Sequence, residues 1–177
     1  MFDPAIVQPP HRPSLEERAL EEGTLDGTLV LKLGYRGAGF AGFAAQPTRR
    51  TVAGEVTRAL ETLLRREVDL TCAGRTDAGV HAIAQYVSGP VTVEELALPD
   101  RRLMHGLGAL LPDDIAPQAL YQAPAGFSAR FDATSRSYRY RIVDGPARPV
   151  LAWDHAWWLK STLDEVAMNE AAQALVG

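Results

Sequence analysis

Cysteine is almost missing from this chain. Cys72 is the only one, and a single thiol cannot close a disulfide within the chain, which fits a reducing compartment. Its expected role is that of a small buried apolar residue in a strand. Long apolar runs are also lacking: none approaches the ~20 residues that a bilayer-spanning helix needs, so the sequence contains no transmembrane helix. The first residues include Asp3, Pro4, Pro9 and Pro10 and show no basic segment followed by an apolar one, so no secretory signal is read there and a cytoplasmic location is expected. Lysine is scarce. Lys32 and Lys160 are the only two, so sixteen of the 18 basic residues are arginines, the side chain that binds phosphate bidentately and stacks on bases. What remains is ordinary globular composition, 46% hydrophobic and 23% charged over 177 residues, enough for one sizeable core.

The net charge of −4 argues against a nucleic-acid ligand until it is divided by region. Residues 1–27 hold six acids against Arg12 and Arg18, a net of −4; residues 28–150 hold fifteen basic groups against twelve acids, a net of +3; residues 151–177 hold one against four, a net of −3. The basic part is the middle.

Residues 1–27 are rich in Pro and Glu and read as a flexible acidic extension with one short helix over 14–22. Residues 28–33 (TLVLKL) predict a strand, followed by a Gly-rich loop over 34–50. Thr51 is a good N-cap, and Val52, Val56, Ala59, Leu60, Leu63 and Leu64 fall on one face of a helix that runs to about Arg66. Residues 68–72 and 81–87 predict two strands joined by a tight turn over 74–79, with Val80, Ala82, Ala84 and Tyr86 on one side. A second amphipathic helix is expected over 100–111, stopped by Pro112, then strands over 115–121 and 137–143. Pro146 and Pro149 mark a boundary, and a last helix is expected over 163–175. The order βαββαβ, then β, predicts an α+β fold: an antiparallel ferredoxin-like (RRM-like) sheet with both helices on one face.

Gly37-Ala38-Gly39-Phe40-Ala41-Gly42 matches GxGxxG after a strand. A dinucleotide site needs the helix to open inside the glycines so that its N-terminus meets the pyrophosphate, whereas here Pro47 intervenes and the helix begins near Thr51. A loop needing positive φ is the better reading, and Tyr35, Phe40 and Phe43 could meet a nucleic-acid strand. The segment Cys72 to Ala82 (CAGRTDAGVHA) says more. Gly74 and Gly79 bracket Arg75, Thr76, Asp77 and Ala78, so a guanidinium and a carboxylate stand at a turn whose small neighbours admit a substrate. A solvated hairpin turn, with Asp77 bonding its own backbone and His81 a satisfied strand residue, is the competing reading.

The run Gly74-Arg75-Thr76-Asp77-Ala78-Gly79-Val80-His81-Ala82 resembles the signature of pseudouridine synthases of the TruA type, whose single essential aspartate is the Asp of that motif. The surroundings are similar in order and spacing: Leu33-Gly34-Tyr35, Gly39-Phe40-Ala41-Gly42-Phe43, Gln46, Arg50-Thr51-Val52 and Gly54-Glu55 upstream, and Leu110-Leu111-Pro112, Asp114-Ile115, Phe127-Ser128-Ala129-Arg130-Phe131, Ala133-Thr134 and Arg136-Ser137-Tyr138-Arg139-Tyr140 downstream. The resemblance covers roughly 28–177. Arg36 stands where the family usually has Asp, and Phe43-Ala44 where it usually has Trp-Gln.

The resemblance implies half of a two-lobed synthase fold: a catalytic α+β domain over 28–145 and, over 146–177, the start of a second α+β domain that is truncated here. It implies isomerisation of uridine to pseudouridine in the tRNA anticodon stem-loop, at expected positions 38 to 40, with no cofactor or metal and with Asp77 as nucleophile or as base toward a ribose proton. Arg75 would fill the space left by the flipped base or hold phosphate, Tyr138 would stack on that base, and Arg130, Arg136, Arg139 and Arg141, four positive charges within twelve residues, would meet phosphates. Family members are homodimers, so the full-length protein is expected to be one, with tRNA as partner and no membrane. Two other classes stay open from the residues alone. A non-catalytic RNA-binding α+β module would bind without needing Asp77, and a glycosidase would need a second carboxylate within about 10 Å, for which Asp132 is the candidate.

Overall fold

The computed structural model describes residues 27–176. The acidic extension and short helix expected before residue 27 lie outside them. Two compact units share the chain, the first ending at Arg136 and the second beginning at Ser137.

The first unit opens with β1 (Gly27–Tyr35), in which Leu29, Leu31, Leu33 and Tyr35 are all buried. Alternation along a strand puts these side chains on one face, and that face builds the core. The helix α1 (Val52–Leu64) covers it with Val52, Val56, Ala59 and Leu60, spaced to share one helical stripe. Thr51 caps it as its sequence position predicts, the hydroxyl accepting from the Gly54 N–H at 3.2 Å. Arg65 ends it in the left-handed region at φ 56°.

The strands β2 (Thr71–Cys72) and β3 (Ala82–Val91) form the expected hairpin, but β2 is shorter than the five residues expected, because only Thr71 and Cys72 find ladder partners, in Ser88 and Val87. The helix α2 (Val93–Leu96) was not expected. Its signal is present in Thr92-Val93-Glu94-Glu95, a capping box in which the Thr92 hydroxyl accepts from Glu95 N–H and the Glu95 carboxylate accepts from Thr92 N–H. The α3 helix (Asp100–Leu110) buries Leu103 and Leu107, and β4 (Ile115–Ala123) follows.

The four strands lie in the order β2-β3-β1-β4, every pairing antiparallel. Core residues from α1 and α3 join the same cluster as Leu29, Leu31 and Leu33, so both helices occupy one face of the sheet. One register shift corrects the sequence reading. Leu33 pairs with Gln85 but Tyr35 with Ala82, so β3 holds one extra residue there. Ala82 therefore packs toward the core while Tyr86, opposite Lys32, points to the other face; the two do not share a side.

In the second unit the strand expected over 137–143 is reduced to β5 (Ile142–Asp144), which pairs in parallel with β6 (Trp157–Leu159). Residues 137–141 have no ladder partner among the described residues and are exposed. Asp164 caps α4 (Glu165–Ala172) through Ala167 N–H, and one tighter turn, Gln173–Leu175, completes the helical stretch expected over 163–175.

Candidate active site

Residues 73–81 connect β2 to β3 and carry the Gly-Arg-Thr-Asp run. The Val80 N–H donates to the Asp77 carbonyl at 3.2 Å, and Gly79 takes φ +81°, closing a tight turn. Its base is pinned to β3: Ala73 N–H donates to the Tyr86 carbonyl at 2.8 Å, and the buried Gln85 amide donates to the Gly74 carbonyl at 2.5 Å. Gln85 was not singled out from sequence, although a glutamine among apolar strand residues is a cue that some buried backbone group needs a partner.

The loop over 36–50 forms the other wall. Phe43 N–H donates to the Thr76 carbonyl at 2.9 Å, and Gly37 N–H donates to Nδ1 of His81 at 3.2 Å. The Tyr35 phenol lies 2.7 Å from the Thr76 hydroxyl. The glycines earn their place by proximity. A Cβ on Gly37 would sit 1.9 Å from the Val80 carbonyl oxygen, and one on Gly42, at φ +102°, would sit 3.1 Å from that of Thr76. No helix opens within the glycines: Gly37–Gly39 is a single tight turn and α1 starts at Val52, so the dinucleotide context is missing. His81 acts as a structural acceptor, in line with its reading as a satisfied residue.

Arg50 holds this loop from the far side. Its guanidinium grips Asp114 with two bonds, Nη1 to Oδ2 at 2.7 Å and Nη2 to Oδ1 at 2.8 Å, while lying 4.2 Å over the Phe40 ring. The Arg50 bond is the main reason the Asp114 carboxyl is held below the ordinary carboxylate range. Two distant stretches, Arg50-Thr51-Val52 and Asp114-Ile115, are thereby one structural feature.

The Asp77 side chain stands outside all of these bonds. Its backbone is fixed by neighbours on both sides, yet its carboxylate is exposed and has no hydrogen-bond or ion-pair partner among the described residues. That does not fit a turn aspartate bonding its own backbone. Arg75 is exposed beside it. Burial pushes the Cys72 thiol up, and the charges of Arg75, Arg130 and Arg136 oppose that shift, so these three candidate phosphate ligands gather around the end of β2. Arg136 also has structural work, donating from Nε to the Ala73 carbonyl and from Nη2 to the Arg130 carbonyl at 2.7 Å. The Arg130 guanidinium lies 5.3 Å over the Phe131 ring. Asp132 accepts from its own Ser128 N–H at 2.8 Å, a local turn contact. Tyr138, 68% exposed, and Arg139 belong to the second unit. Among the described residues no three His, Cys, Asp or Glu side chains cluster as metal ligands, and no helix is long and apolar enough to cross a membrane.

No family model matches the chain. Individual proteins do. It is 45% identical over 150 residues to the tRNA pseudouridine synthase A of Streptomyces griseus, an alignment covering 83% of this chain and 53% of that protein. It is 43% identical over 163 residues to the protein of that name from Bifidobacterium animalis, covering 84% and 54%, and 39% identical over 150 residues to the one from Geobacter sulfurreducens, covering 85% and 60%. The chain thus spans between half and three-fifths of the length of these relatives, and over that span it belongs to the tRNA pseudouridine synthase A family.

Proposed function

We propose that this chain carries the reacting carboxylate of a tRNA pseudouridine synthase, converting uridine to pseudouridine in the anticodon stem-loop, with Asp77 essential. The relatives' shared name supports the reaction. The observation that carries the assignment to Asp77 is its exposed, unpartnered carboxylate on a turn that Thr76, Val80 and Gly74 contacts hold rigid. A reaction that breaks N1–C1′ and rejoins C5 to C1′ needs such a group, free to attack C1′ or to take a ribose proton and prevented from wandering by its backbone.

The target base must leave its stack first, at a cost of a few kcal/mol. Arg75, beside Asp77, suits the space the base vacates or the phosphate next to it, and Arg130 and Arg136 add charge for the backbone. Tyr138 is the residue proposed to stack on the flipped base, with Arg139 next to it on phosphate. The β-α-β-β-α-β order and the spatial order β2-β3-β1-β4 support the ferredoxin-like arrangement. Activity without cofactor, a cytoplasmic location and a full-length homodimer complete the reading.

The test is tritium release from tRNA labelled at uridine C5, with modified positions mapped by primer extension after carbodiimide treatment. Release confined to anticodon stem-loop uridines supports the proposal. Tight tRNA binding with no release would favour the RNA-binding module instead.

A further inference from the structure

The sheet face opposite the helices carries a patch that none of the roles above uses. Leu31 and Leu33 point into the core, so Lys32 between them points away. Tyr86 is its cross-strand partner on β3, and on β4 Tyr121 pairs with Val30, diagonal to Lys32. The register puts the two tyrosines on one face, on the two strands that flank β1, and burial pushes the Tyr86 phenol up, with the Tyr121 phenol adding to that shift. Tyr121 is 38% exposed, and Lys32 and Tyr86 are half-buried. The Lys32 ammonium has no carboxylate partner among the described residues.

Two features say what such a surface fits. None of the four strands contains an acidic residue, so Lys32 is the only charge on the sheet itself. Further along the same face Ala129 N–H donates to the Ser88 hydroxyl, laying the segment that bears Arg130 and Arg136 across the sheet two residues from Tyr86. The face is therefore a run of cations interleaved with aromatic rings, which matches a strand of alternating phosphate and base. Tyr86 lies four residues beyond Ala82, where β3 leaves the Asp77 turn, a separation of ~13 Å that about two nucleotides can span.

We infer that Lys32, Tyr86 and Tyr121 form a second RNA contact on the sheet face opposite the helices, beside the stretch where Val30 and Ser88 lie buried, which takes the strand flanking the target uridine, Lys32 on a phosphate and the tyrosines on bases. This rests on the proposed function and extends it. Lys32 and Tyr121 make no hydrogen bond or ion pair within the described residues, so their replacement is expected to leave the fold intact, which the fold control checks.

The experiment measures tRNA affinity by fluorescence anisotropy across a salt series for the native chain, Lys32→Gln, Tyr121→Leu and Tyr86→Leu, with circular dichroism as a fold control and tritium release measured in parallel. Lys32→Gln is expected to reduce the slope of log affinity against log salt by about one. Tyr121→Leu is expected to weaken binding about tenfold with the slope unchanged. Native affinity and slope in both variants would overturn the contact, and continued tritium release would show that the function stands without it. A native chain that binds no tRNA would overturn both. A changed oligomeric state in Tyr121→Leu with unchanged tRNA affinity would assign the face to a protein contact and likewise overturn the inference.

Discussion

The Tyr35 phenol and the Thr76 hydroxyl lie 2.7 Å apart, which ties the last residue of β1 to the residue preceding Asp77. Tyr35 is 5% exposed and its ring centre is 6.2 Å from that of Phe43, so the phenol is anchored in the core. Removing that hydroxyl as Tyr35→Phe should cost ~1 kcal/mol of stability and lower kcat about tenfold with KM nearly unchanged, because a displaced Asp77 still binds RNA but reacts poorly. Steady-state tritium release with thermal melts on the same samples checks it; a rise in KM alone would contradict it.

Three glycines near Asp77 should behave differently on substitution by Ala. Gly37→Ala drives a Cβ to 1.9 Å from the Val80 carbonyl and should destabilise by ~3 kcal/mol or more. Gly42→Ala combines φ +102° with a contact at 3.1 Å and should disturb Thr76. Gly79→Ala has φ +81° with no atom within 4 Å, so it should pay only the backbone cost of ~1–2 kcal/mol. Urea denaturation of the three variants gives the order; Gly79→Ala as the worst would contradict the close-approach argument.

The Arg50–Asp114 pair makes stability depend on pH in one direction. Asp114 has its carboxyl held low in the folded state, chiefly by its Arg50 bond, so the folded chain binds that proton less readily than the unfolded one. The contribution is fully present above the unfolded value of ~3.9 and is lost as pH falls through the lower folded value. Arg50 is 40% exposed, so solvent limits the effect to ~1 kcal/mol or less. Urea midpoints from pH 6 down to pH 3 should fall more steeply for the native chain than for Asp114→Asn.

The arginines should separate by what they hold. Arg136 donates to the carbonyls of Ala73 and Arg130, so Arg136→Ala should lose ~1–2 kcal/mol of stability along with RNA affinity. Arg75 is exposed, and Arg75→Ala should lose affinity at unchanged melting temperature. Melting curves paired with filter binding decide it, and equal thermal shifts in the two variants would contradict the assignment.

Much of this was legible in the residues. The stripe Val52, Val56, Ala59, Leu60 and the cap at Thr51 announced α1, because both signals are local. The Asp77 turn was legible from its bracketing glycines and from the family resemblance. What escaped were features set by partners far along the chain. The bulge between Leu33 and Tyr35, which turns Tyr86 away from Ala82, depends on which residues pair across the sheet. The alternating Arg and Tyr of 136–141 look like a strand, but a strand needs a ladder and those residues have none among the described ones. The grip of Arg50 on Asp114, 64 positions away, leaves no trace in local pattern.

The most direct test of the central claim measures tRNA affinity and tritium release together for the native chain and Asp77→Asn. The account predicts affinity unchanged within about twofold, since the Asp77 carboxylate makes no hydrogen bond or ion pair among the described residues, and release abolished. Release from Asp77→Asn at the native rate would show that another group carries the reaction and would contradict the account.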